Sequence, residues 1–291
     1  MSENNEKKCA YCGKGRDTVQ FTKEHVVSHT FLNKYYPPIT PSKKINDRNK
    51  KKNYQVGGYQ NSIQRDSCNY QTIPDVCEKC NNEILSALDE YFLKFYDLNT
   101  DCKLKKQGQL FTLKYDYSLL SRWLLKTLYN SERKNAYSDI IPPYLHNFKK
   151  YILYNQENTD YELQLYFECL KDHEKLPLNA IYRNSRKNGI LKLGNMVIDK
   201  AFGYSDIKTK YFISGNYAFY LFFKHKDSLE SIDQFISDLN YYRCIELYKI
   251  DSTKDFIEYK VSARSIVDII NLTKEGNLWS TDRYKMLHNL M

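Results

Sequence analysis

Hydrophobic residues recur along this chain with two different periods. From Glu83 onward, Ile84, Leu85, Leu88, Tyr91, Phe92, Phe95 and Tyr96 return at spacings of three and four, which lines one stripe of a helix. Tyr117 to Asn130 repeats the pattern: Trp123, Leu124, Leu125 and Leu128 form an apolar side, and Arg122, Lys126, Arg133 and Lys134 supply an edge that could face nucleic acid. Beyond a polar turn at 130–135 the runs shorten and alternate. Tyr151–Tyr154, Glu162–Phe167, Tyr211–Ser214, Tyr217–Phe223 and Glu246–Ile250 read as strands, and a helical segment follows around Ser265–Leu272. Polar stretches at Pro37–Gln71 and Asp97–Gln109 separate these elements, and no internal repeat is present. The pattern predicts an α+β chain in two parts, 1–100 and 101–291.

Composition narrows the class. Of the 291 residues, 42% are hydrophobic and 27% charged, the balance of a globular protein rather than a disordered one. The densest apolar run, Tyr217 to Phe223, is far too short to cross a bilayer, and the first residues lack the apolar core of a secretory signal. Cytoplasmic localisation is the expectation, with no membrane partner. Eight cysteines in a reducing compartment point to metal before disulfides. A net charge of +9 favours a polyanionic partner, although the abundance of Lys, Asn, Ile and Tyr is also what an AT-rich genome gives any protein.

The cysteines that carry a pattern are Cys9-Ala-Tyr-Cys12 and Cys77-Glu-Lys-Cys80. Two residues between thiolates let both sulfurs face one ion from a tight turn, and two such knuckles complete a tetrahedral zinc shell. Gly13 suits the left-handed conformation that often closes a knuckle. Four protein ligands leave no open position, so the zinc would be a structural staple. Cys68, Cys102, Cys169 and Cys244 are isolated and read as buried thiols, and His146, His173, His225 and His288 lack ligand spacing.

Between the knuckles stands Phe21-Thr-Lys-Glu24-His25-Val26-Val27. A C-x-x-C, an acidic residue plus His with two aliphatics after it, then a second C-x-x-C followed at once by Asn together resemble the HNH endonuclease family of ββα-metal nucleases. The subgroup it most resembles carries Glu-His, Cys-Asn-Asn, a Thr-x-x-x-x-Cys approach and a later helical Asp. Thr72-Ile-Pro-Asp-Val-Cys77 and Leu88-Asp89 match the last two features. The similarity covers residues 9–96.

The resemblance implies an N-terminal ββα-metal (HNH) module with a four-cysteine zinc site, followed by a C-terminal α+β domain for target recognition, dimerisation or partner binding. It implies a catalytic site of His25, Glu24 and Asn81. His25 would be the general base, and Glu24 and Asn81 would ligate a catalytic Mg or Mn ion on the scissile phosphate. Asn82, Asp89, Thr72 and His29 are candidate supporting residues. Asn81 or Asn82 would equally serve as a helix cap, Asp89 as a boundary carboxylate and His29 as a solvated loop residue. The reaction implied is hydrolysis of phosphodiesters, in DNA rather than RNA, leaving a 5′-phosphate, in a defence-type effector. Three positions depart from the family: Leu85 where many members carry a second histidine, Ser28 where Pro is usual, and Asn69 or Thr72 for the middle Asn. The alternative is a zinc-ribbon module that binds nucleic acid without catalysis.

The insertion between the knuckles adds a basic cluster. Lys43, Lys44, Arg48, Lys50, Lys51 and Lys52 stand together with only Asp47 opposing them. Such density either grips a phosphate backbone or remains a solvated loop. Gly57-Gly58 marks a turn back toward the second knuckle.

Overall fold

The computed structural model describes residues 8–35, 72–100, 106–135, 141–171, 191–196, 204–243 and 246–265. The basic cluster 43–52, Asn69, Cys68, Cys102, Cys244, His173, His288 and residues 266–272 lie outside them.

The N-terminal part is a two-stranded antiparallel hairpin followed by a helix. Strand β1 (Phe21–His25) pairs with β2 (Thr72–Cys77), and a short helix α1 (His29–Tyr35) follows β1. After β2 comes a π-helical turn (Cys80–Leu85) that runs on into helix α2 (Ser86–Asn99). The hairpin register slips once: Thr22 faces Val76 while Glu24 faces Ile73, so Pro74 and Asp75 bulge opposite Lys23. Proline has no N–H for a ladder, which suits it to a bulge. The groups the bulge frees are taken up elsewhere. The Asp75 carbonyl accepts from the Ala10 amide at 2.9 Å, and the Lys23 carbonyl from the Asn81 side chain at 3.2 Å.

Strand β3 (Leu110–Lys114) leads into helix α3 (Tyr117–Asn135), then two short helices, α4 (Pro143–His146) and α5 (Lys149–Tyr154). Strands β4 (Tyr161–Lys171), β5 (Leu191–Met196), β6 (Lys208–Ser214) and β7 (Tyr217–His225), helix α6 (Ile232–Arg243), and strands β8 (Tyr248–Ile250) and β9 (Phe256–Ser265) complete the described chain. The large sheet runs β3-β9-β4-β7-β6-β5, with β8 also on β4, and every pairing is antiparallel except β4 with β9.

Helices cover both faces of this sheet, which explains the unbroken apolar run of β7. Its Tyr217, Phe219, Leu221 and Phe223 join the core shared with α2 and α3, while Ala218, Tyr220 and Phe222 meet Phe235, Ile236 and Leu239 of α6. Trp123 of α3 stacks on Phe92 of α2 and sits edge-on to Phe212 of β6 at 5.1 Å and 85°. The larger apolar cluster extends from Cys9 to Val261 and crosses residue 100 without a break. No helix among the described residues is long and apolar enough to cross a membrane.

Two expectations change. Tyr151–Tyr154 belongs to helix α5 rather than a strand: Ile152 and Leu153 turn into the core, and Asn155 ends the helix in the left-handed region at φ 57°. On helix α3, Lys126 and Arg133 do not stand on an open edge. Residues 123–130 are all buried, Lys126 included. Arg122 donates to the carbonyls of Ile152 and Leu153, and Arg133 pairs with Asp75, so both are structural ties.

Candidate functional site

The four cysteines of the two knuckles converge. The first knuckle is closed by the Gly13 amide donating to the Cys9 carbonyl at 2.8 Å, with Gly13 at φ 76° as its position predicts. The second is formed by the end of β2 and the first residue of the π-turn. All four sulfurs lie within 4.8 Å of one another, and Cys12 and Cys77 approach to 3.6 Å. A tetrahedral zinc with bonds of about 2.3 Å holds its sulfurs roughly 3.8 Å apart, so the cluster is close enough to hold such an ion. The crowding already polarises the thiols. Hydrogen bonding from Cys80 brings Cys9 down to about 4, while that same bond and burial push Cys80 up. A metal here would tie the first knuckle to β2 and the start of the helix.

Toward the end of β1 away from this cluster, neighbouring residues diverge. Glu24 points into the protein and is 3% exposed, whereas His25 is half-buried on the other face, opposite Thr72 at the start of β2. The His25 ring stacks on that of His29, the first residue of α1, with centroids 5.5 Å apart. His29 is exposed and contacts the Asn33 amide at 3.2 Å. Burial, then the neighbouring His29 and Lys126, lower the His25 pKa. The imidazole therefore favours its neutral, proton-accepting form.

Glu24 meets a partner that sequence reasoning did not identify. Its carboxylate lies 2.6 Å from the Lys126 ammonium, which also donates to both oxygens of Asp89 at 2.8 Å. Asp89 accepts a further bond from the Trp123 indole at 2.9 Å. Asn130 reaches the Glu24 carboxylate at 3.5 Å and the His25 carbonyl at 3.4 Å, and accepts from the Tyr11 hydroxyl at 2.8 Å. Burial opposes the charge on Lys126, but Asp89 and Glu24 outweigh it and raise its pKa. One ammonium cannot fully compensate two carboxylates. Glu24, the more deeply buried of the two, is pushed up chiefly by burial. The sequence did contain one clue: Lys126 interrupts the run Trp-Leu-Leu-Lys-Thr-Leu, and a lysine on a buried stretch demands a carboxylate.

The remaining predicted residues occupy the surroundings. Asn81 is half-buried on the π-turn, and its amide donates to Thr22 Oγ1 at 2.8 Å as well as to Lys23. Asn82 is exposed, and its carbonyl accepts from Ser86. The Thr72 carbonyl accepts from Lys134 at 3.5 Å. Glu24 and Asp89 are thus brought together on Lys126, while Asn81 is directed at the segment of β1 that faces the bulge. A magnesium or manganese ion held through Glu24 does not fit this arrangement, because that carboxylate is committed to the Lys126 ammonium.

A groove of about 390 Å³ between α2 and the β3–β9 edge, lined by Tyr91, Lys94, Phe95, Leu98, Lys114 and Phe256 among others, contains none of the predicted residues. No family model, curated protein or solved structure matches this chain.

Proposed function

We propose that the protein hydrolyses phosphodiester bonds in nucleic acid, DNA in preference to RNA, with His25 as the general base. The observation that carries this is the setting of His25. A half-buried imidazole with a lowered pKa stands at one end of a hairpin whose other end carries a four-cysteine cluster able to hold a metal, with a helix following His25. An attacking water would give its proton to this imidazole as its oxygen bonds to phosphorus. The P–O3′ bond then breaks, and the leaving oxygen takes a proton from solvent. Glu24, Lys126 and Asn130 support the backbone on which His25 is mounted. The net charge of +9 suits a phosphate-rich substrate.

The test is cleavage of supercoiled plasmid, with and without added divalent ions, by wild type and His25→Ala matched for zinc content. Nicking by wild type that falls at least ~100-fold in the variant is expected, the usual contribution of a general base. Equal cleavage by both would remove His25 from the chemistry.

A second reading, a zinc-containing nucleic-acid-binding module without catalysis, is favoured by one specific observation: the carboxylate implied as an ion ligand is already paired with Lys126. It predicts DNA retention by both proteins and cleavage by neither.

A further inference from the structure

We infer that Lys126 is the resident cation of the buried Glu24–Asp89 pair and occupies the place a divalent ion would otherwise take between them. Three features of the geometry carry this. An ammonium has three N–H donors, and Lys126 meets three carboxylate oxygens: Glu24 Oε1 at 2.6 Å and both oxygens of Asp89 at 2.8 Å. The site is also closed around Lys126 and Glu24, whose side chains are 0% and 5% exposed, and reaches solvent only on the side of Asp89, at 19%. Magnesium gives up its waters reluctantly and would need several of them here. Finally, an ion bound to both carboxylates would lie about 2.0–2.2 Å from their oxygens, in contact with the Lys126 ammonium, so the two cations exclude each other.

Glu24, Asp89 and Lys126 are then positioning residues. The ion pair fixes β1 at the residue before His25 from a helix a hundred positions downstream. This concerns the same site as the proposed nuclease, but its test does not depend on cleavage, so either can fail alone.

The experiment is titration of the full-length, zinc-loaded protein with Mn²⁺, following free Mn²⁺ by electron paramagnetic resonance. Thiolates are poor ligands for this hard ion, so the cysteine cluster does not interfere. Wild type and Glu24→Gln are expected to bind Mn²⁺ alike. Lys126→Ala, which also vacates the space of the ammonium, is expected, with zinc content and circular dichroism matching wild type, to bind one Mn²⁺ at least ~10-fold more tightly than wild type. The gain should vanish in Lys126→Ala/Glu24→Gln. Wild-type binding that Glu24→Gln abolishes would overturn the inference, and so would a folded Lys126→Ala that gains no site. If Lys126→Ala does not fold, the comparison of wild type with Glu24→Gln alone decides.

Discussion

A histidine that takes a proton from water must be neutral when the water arrives, and the surroundings of His25 favour that state. Burial and the charge of Lys126 act in the same direction, so the folded pKa lies below the ordinary imidazole value. Between those two values the unfolded chain binds more protons than the folded one. Stability from this residue is therefore complete above about pH 6.5 and is lost as the pH falls through the folded pKa. His25→Gln is expected to flatten the acid limb of a Tm–pH profile and leave the neutral region unchanged. Parallel profiles for the two proteins would mean that His25 titrates as a free imidazole. The neighbouring ion pair gives a second prediction at this scale. Lys126→Met leaves the buried Glu24 and the partly buried Asp89 without a counter-charge, an expected cost of about 3–5 kcal/mol in urea unfolding. Adding Glu24→Gln should recover part of that loss. Strictly additive losses would show that the two side chains are not coupled.

At the scale of elements, the first knuckle, the bulge and the π-turn form one device. Gly13 has a left-handed backbone but open space around its α-carbon. Gly13→Ala therefore meets no clash, and its expected cost is confined to backbone strain of about 1–2 kcal/mol, read as a lower Tm with the cysteine cluster still metallated. Outright loss of metal binding would show that the knuckle tolerates no strain. Some of these elements could be read locally. The helical stripe from Ile84 to Tyr96 and the strand Tyr217–Phe223 each span enough residues for the period to be unambiguous. Tyr151–Tyr154 did not, because four apolar residues fit a strand or one helical turn equally well. The capping by Asn155 and the packing of Ile152 settled it. The bulge at Pro74–Asp75 was illegible because it depends on two bonds between distant residues, from the Ala10 amide to Asp75 and from the Asn81 side chain to Lys23.

Across the whole molecule, one apolar cluster joins the region of the two cysteine knuckles to α3 and the large sheet. Tyr217 donates to the Asn99 carbonyl and Tyr96 to that of Ser214 at 3.3 Å, so polar ties cross the same boundary. A fragment of residues 1–100 would expose Leu88, Phe92 and Phe95 to water and lose the counter-ion of Glu24. It is expected to show collapsed amide dispersion in a ¹H–¹⁵N spectrum even with zinc present. A well-dispersed spectrum would establish that the knuckle module folds by itself. What the sequence determined alone was everything written in short-range spacing: the two C-x-x-C knuckles, the Glu-His step beside them, the long amphipathic helices and the buried strand. These are legible because ligand spacing and hydrophobic period are set by local backbone geometry. Only the tertiary structure decided what Glu24 faces. A buried charge takes whichever partner the fold brings to it, and the partner here, Lys126, arrives on a helix whose position is set by packing rather than by any local pattern.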